Sequence, residues 1–147
     1  MKKIVIAMCA LAAVMLTACS SKTIDIKALS DKLINEVRFS EKLSEVPLNI
    51  TEKRYALSDG KVEAGVAYSG TNAVVDELVI FKTSDTDSVK DKVMEHIESQ
   101  VNIYESYAPD EVSKLNDCVL EVKGDYVILC ISEDSDTAEK IIREYTK

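Results

Sequence analysis

The side chains here that could do nucleophilic, redox or metal chemistry are few: four cysteines and one histidine, with no tryptophan. His96 stands alone. A zinc site or a catalytic triad needs partners at set spacings, and the chain has no His-x-x-His, Cys-x-x-Cys or His-Glu motif. His96 falls at the edge of an apolar helical stripe, near Val89 and Val93. That position suits a boundary histidine with one hydrogen bond rather than a proton-transfer group. Cys118 and Cys130 flank the turn signal Lys123-Gly124-Asp125. With a three-residue loop they stand directly opposite on one sheet face, where a disulfide can form. Two free thiols in an apolar core are the favoured alternative, because unpaired cysteine is commonly buried. Nothing nearby supplies the positive surroundings that would lower a thiol pKa for redox work.

Cys19 is of a different kind. It ends the stretch Leu16-Thr17-Ala18-Cys19, which follows Lys2, Lys3 and an uncharged run from Ile4 to Leu16. Basic start, short apolar core, small residues and cysteine, in that order, resemble the lipobox of a bacterial lipoprotein. The run is shorter than the ~20 apolar residues a spanning helix needs. The resemblance implies that residues 1–18 are a lipoprotein signal peptide and that Cys19 carries a diacylglyceryl thioether. Two acyl chains suffice for stable anchoring, where one does not. The expected partner through Cys19 is therefore a membrane, and residues 19–25 are a short lipidated tether. Cleavage removes two lysines and no acids, which moves the net charge from −8 to −10. Such an acidic domain is repelled by anionic lipid, and it lacks the clustered positive charge that nucleic acid requires.

The remaining residues, 26–147, are enough for one domain with its own core. Ile26, Leu29, Leu33 and Val37 recur at helical spacing. Val62–Tyr68 and Glu77–Lys82 read as strands joined by a loop containing Gly70. The longest helix is predicted from Ser88 to Tyr107, with Val89, Val93, Ile97, Val101 and Tyr104 along one stripe and Met94, Ile103 and Tyr107 widening it. Cys118–Val122 and Tyr126–Ile131 make a second hairpin, and the latter strand is apolar on both faces. Asp136 and Glu139 have the spacing of a capping box ahead of the last helix. The fold class is α+β: an antiparallel sheet of about four strands in two hairpins, with the long helix and terminal helices packed on one face.

Several of these pieces, in order, resemble a known family. They are Val37-Arg38-Phe39, Tyr68-Ser69-Gly70-Thr71, Asp76 through Lys82, Glu98-Ser99-Gln100, Tyr107-Ala108-Pro109 and Gly124-Asp125-Tyr126-Val127. Together they look like the bacterial lipoprotein family known as domain of unknown function 4358. That resemblance implies the outer face of a cell membrane and brings no activity with it.

The acidic clusters Asp85/Asp87 and Glu133/Asp134/Asp136 lack calcium-loop spacing and suit helix starts. No glycine-rich phosphate loop or Gly-x-Ser-x-Gly elbow occurs. The expectation is an extracytoplasmic binding or scaffolding module, not an enzyme, with no metal and no cofactor. The rival is a small-ligand capture protein or hydrolase-like enzyme with a pocket between sheet and long helix. Its contact residues would be His96, Gln100 and Tyr104, which follow one another at four-residue spacing. A cleft lined by convergent polar groups there favours the rival. A contiguous exposed apolar patch favours a protein partner.

Overall fold

The computed structural model describes residues 22–147, so the leader and Cys19 lie outside the described residues. The elements are α1 (Ile26–Glu36), β1 (Ser44–Glu45), α2 (Leu48–Arg54), β2 (Ala64–Ser69), β3 (Glu77–Lys82), α3 (Thr86–Tyr107), a 3-10 turn (Pro109–Glu111), α4 (Val112–Asn116), β4 (Val119–Lys123), β5 (Tyr126–Ile131) and α5 (Ser135–Tyr145). The class is α+β, as the residue pattern predicts. One sheet runs β1-β2-β3-β5-β4, antiparallel at every pairing. The sheet has five strands rather than four. The fifth is the two-residue β1, which pairs Ser44 with Ser69 and Glu45 with Tyr68 at the edge. Two exposed polar residues offer no alternation to read.

The helices lie on both faces of the sheet, not on one. Strands β3 and β5 form its centre and are buried almost throughout. Leu78, Ile80, Ile128 and Cys130 pack with Leu29 and Leu33 of α1 and with Ala138, Ile141 and Ile142 of α5. Val79, Phe81, Val127, Leu129 and Ile131 pack with Tyr55, Val89, Val93, Tyr104 and Leu115 on the other side. A strand that is apolar on both faces needs cover on both. Each fully buried Leu, Ile or Phe stabilises the fold by about 1.5–3 kcal/mol relative to exposure. The packed chain begins at Ile24, which is buried, and Asp25 caps α1 by accepting from the Ala28 N–H at 3.0 Å.

The β4–β5 turn is shorter than expected, and this moves the register. Lys123 pairs with Tyr126, so only Gly124 and Asp125 turn the chain, and Gly124 takes φ of 55°. Val119, not Cys118, is then opposite Cys130. Cys118 packs with the α3 side of the sheet and Cys130 with the α1/α5 side, so the two are free thiols on opposite faces. The disulfide alternative is thereby corrected by a loop one residue shorter. Burial raises both thiol pKa values, Cys130 to about 12.

Helix α3 is capped by Asp85, which accepts from the Ser88 N–H at 3.3 Å. Helix α5 is capped by Asp134, which accepts from the Thr137 N–H at 3.1 Å. Asp136 sits inside the first turn, so the cap comes two residues earlier than the Asp136–Glu139 spacing suggests. Along α3, Val89, Val93 and Tyr104 are buried, while Met94, Ile103 and Tyr107 are exposed and do not widen the stripe. Among the described residues no helix is long and apolar enough to cross a membrane.

Candidate functional site

A polar cleft of about 220 Å³ opens at the end of the sheet where β2 stops and β3 begins. One wall is α3, which contributes His96, Gln100 and Tyr104 from successive turns. The opposite wall is the segment from Ser69 to Glu77, and Arg54 at the end of α2 closes one side. The three residues singled out by helical spacing therefore line one cavity. Their roles differ. Gln100 is half-buried. His96 and Tyr104 are buried and already hold structural partners.

Glu77 organises the floor. It is the first residue of β3 and shares a face with Val79 and Phe81, so its carboxylate is directed under α3. Oε2 accepts from His96 Nε2 at 3.2 Å, and Oε1 accepts from Arg54 at 3.3 Å. A carboxylate can only accept, so the His96 proton sits on Nε2. The His96 ring also lies on Tyr55, with centroids 4.2 Å apart and planes at 35°. Tyr55 packs edge-on against Phe81 at 5.6 Å. Its hydroxyl is buried, close to the Glu77 carboxylate but without a partner in hydrogen-bonding geometry. Burial, and then the neighbouring Glu77 charge, push the Tyr55 pKa well above its usual value.

The Gly70–Asp76 segment is tied down from several elements. Tyr104 donates its hydroxyl towards Asn72 O at 3.0 Å and Val74 O at 3.1 Å. Burial first, and then the charge of Glu111, raise the Tyr104 pKa. Glu111 accepts the Val75 N–H at 3.0 Å, and Glu41 accepts the Thr71 N–H. At Gly70 a Cβ would fall 2.6 Å from Val74 Cγ2 and 2.8 Å from Glu41 Oε1, so a larger residue would push both side chains aside and disturb the Glu41 contact with the Thr71 N–H. Asp76 is wholly buried. Its Oδ2 accepts from the Ser40 N–H at 3.2 Å and from Lys114 at 3.4 Å, and its Oδ1 has no partner. Burial works against the Lys114 charge, but Glu111 and Asp76 outweigh it and hold its pKa above the usual lysine value. Side chains from the α1–β1 connection, α3, the 3-10 turn and α4 thus hold the cleft wall in one arrangement.

Helical spacing missed Arg54, Tyr55, Asp76 and Glu77. A signal for Glu77 was present: it shares parity with Val79 and Phe81 in a strand buried on both faces. A buried carboxylate must find a cation or several donors, and the only histidine is one of the few candidates. Arg54 carries no comparable signal, because its approach depends on how α2 crosses the sheet. Among the described residues no group of three or more His, Cys, Asp or Glu could hold a metal ion, and the acidic clusters at Asp85 and Asp134 act as helix caps.

No curated protein and no solved structure matches the chain. A family model does match, over residues 35–132, a span that takes in all five strands and every residue lining the cleft. By that match, the chain belongs to the family described as Domain of unknown function (DUF4358).

Proposed function

We propose that this is a membrane-anchored extracytoplasmic lipoprotein, held through lipid on Cys19, whose folded domain is a non-enzymatic binding module that captures a small polar ligand in the cleft. The observation that carries the reading is the convergence of Arg54, Asp76, Glu77, His96, Gln100 and Tyr104 on one cavity whose wall is held by four other elements. A wall fixed before binding reduces the ordering cost of binding. The acid–base groups there are occupied with one another, since Glu77 is engaged by both His96 and Arg54. That arrangement suits recognition better than proton transfer.

The polarity of the domain supports the same reading. The chain enters the fold beside the hairpin end of the sheet, where the Ile24 N–H donates to the Tyr126 hydroxyl at 3.3 Å. Tyr126 pairs with Lys82, while Glu77 at the other end of β3 pairs with Ser69 and Ile131. Five residue steps of strand separate the two ends by roughly 17 Å. A tether leaving from Ile24 leaves the cleft at the pole away from the attachment point. A protein partner on an apolar face has less in its favour. Ile103 and Tyr107 lie about one turn apart at the end of α3, but Met94 leaves the helix on the opposite side, so the exposed apolar side chains of α3 form a patch of only two residues.

Two measurements test the proposal. In a bacterial host the native chain partitions with membranes, and Cys19→Ala appears in the soluble or secreted fraction. Unchanged membrane retention of Cys19→Ala overturns the anchor. A photo-crosslinking residue at Gln100 acquires a small-molecule adduct in cells, while the same residue at exposed Met94 does not. Equal labelling at both positions, or none at either, overturns the cleft as the binding place.

A further inference from the structure

The cleft has a neighbour. A second cavity, of about 260 Å³, opens between the end of α2 and α3, and Arg54, His96 and Gln100 line both. Arg54 thus stands at the junction. Among the described residues its hydrogen-bond partner is Glu77, reached through Nη1 at 3.3 Å, and the Arg54 side chain stays 39% exposed. Nη2 and Nε are left for solvent or a ligand. Glu77 is buried and held in turn by His96, so it braces the guanidinium from a fixed position. A guanidinium pinned at one nitrogen presents the rest of its planar edge already oriented. Neutralising Glu77 needs only a point charge, and the exposed edge is what that role leaves unused.

The wall around that edge is built for an anion of low charge. Lys92 adds a second cation, offset by Glu95 at 2.6 Å, and Ser99 and Gln100 bring a hydroxyl and an amide. Ala56, on the same wall, has φ of 50° and is the one non-glycine residue with positive φ among the described residues. It ends α2 in a turn closed by the Leu57 N–H on Glu52 O at 2.8 Å, a place that glycine usually takes. Backbone strain of this kind gathers at ligand sites. Resting on the reading of the cleft as a ligand site, we propose that the ligand carries a carboxylate, which Arg54 takes through Nη2 and Nε at the junction of the two cavities. A doubly charged phosphate fits less well, because Glu77 and Glu95 repel it more strongly. A simple carboxylic acid and a peptide C-terminus share the proposed group.

The test is a titration of the full-length protein in detergent at constant ionic strength, read by backbone amide shifts. The probes are propionate, N-acetylglycine, the neutral amides of both, and inorganic phosphate. The expected result is saturable shifts at Arg54, Ala56 and Gln100 with the two carboxylates, and none with their amides. Arg54→Lys keeps a positive charge beside Glu77 but loses the planar edge, so it weakens binding of both carboxylates by about tenfold or more. Unchanged binding by a folded Arg54→Lys overturns Arg54 as the anchor. Tighter binding of N-acetylglycine assigns a peptide C-terminus, and equal or tighter binding of propionate assigns a simple acid; the carboxylate contact stands in both cases. Equal saturation by the amides overturns the proposal even if Arg54→Lys fails to fold, because that comparison needs only the native chain. Tighter binding of phosphate than of either carboxylate overturns the ligand class and leaves the cleft as a binding site. No saturable shift with any probe overturns the carboxylate site, and the crosslinking at Gln100 then judges the cleft independently.

Discussion

Glu77 and His96 come from different elements, lie nineteen positions apart in the chain, and meet at 3.2 Å with both side chains more than nine-tenths buried. The strand start and the middle of the long helix are locked together by that contact. Removing the carboxylate leaves the His96 N–H without an acceptor and frees Arg54, which is exposed enough to turn to water. Glu77→Ala is therefore expected to lower unfolding stability by about 2–3 kcal/mol. Urea denaturation at neutral pH checks it. A loss below about 0.5 kcal/mol would mean that the pair is not held as described.

Tyr55 sits against this pair with a hydroxyl that has no partner. Tyr55→Phe keeps the ring packing and removes an unsatisfied polar atom, so at neutral pH the variant is expected to be as stable as the parent or more so. The pH dependence has a definite sign. The folded pKa of Tyr55 is raised by burial and by Glu77, so its contribution is complete below the ordinary tyrosine value near 10 and disappears as pH rises through the folded value. Tyr104 and Cys130, also raised, act in the same direction. Thermal unfolding between pH 8 and pH 12 should fall less steeply for Tyr55→Phe. A steeper fall, or a clear loss at pH 7, contradicts the burial of an unpartnered hydroxyl.

How much of this was readable in the chain depends on how far each feature reaches. The stripe of Val89, Val93 and Tyr104 is local, and α3 follows from it with an end set by Pro109. The grouping of His96, Gln100 and Tyr104 follows from the same periodicity, so half of the cleft was visible before any tertiary contact. Its other half comes from Ser69–Glu77 and Arg54, which the sheet register and the crossing of α2 bring into place. The cysteine relationship turned on a single loop residue. Counting Lys123 into the turn puts Cys118 opposite Cys130, and leaving it in the strand sends them to different faces. Side-chain parity makes such one-residue differences large, because every residue changes face with a unit shift.

The helix caps respond at the acidic end of the scale. Asp85 is held below the usual carboxylate value by its contact with Lys61 and then by the Ser88 N–H, and Asp134 by Thr137. A lowered folded pKa means that the contribution is present above the ordinary value of 3.8 and is lost as pH falls through the folded value. Asp85→Ala and Asp134→Ala should each lower the melting temperature at pH 7. Both differences from the parent should shrink as pH falls below the ordinary carboxylate value and the caps take up protons. A gap that stays constant over the whole acid range assigns the effect to packing rather than to the charged cap.

Gly65 lies in β2 opposite Phe81 and tests the sheet itself. A Cβ there would stand 2.7 Å from the Ile80 carbonyl oxygen, which is backbone in a central strand and has little room to move. Gly65→Ala is expected to cost about 1–3 kcal/mol through forced separation of β2 from β3. Gly60, by contrast, has open space around it and φ of 80°, so Gly60→Ala should cost only about 1 kcal/mol through backbone strain. Guanidinium unfolding of both variants compares the two mechanisms. Equal losses would remove the reason for assigning the Gly65 cost to the neighbouring strand.

The free thiols give the most direct check of register. Trypsin cleavage after Lys123 places Cys118 and Cys130 in different peptides. Alkylation of the unfolded, unreduced protein should modify both peptides fully, with no linked pair. In the folded protein the order of reaction is set by exposure and thiolate fraction. Cys118 is half-buried with a moderately raised pKa, whereas Cys130 is fully buried with its pKa pushed up to about 12. Cys118 should therefore react slowly at pH 8 and Cys130 not at all until the domain opens. A disulfide-linked pair of those two peptides, recovered without reduction, would require the three-residue turn and a β4 shifted by one residue against β5. Every β4 side chain would then change face, including Leu120, now packed on the α3 side beside Leu129.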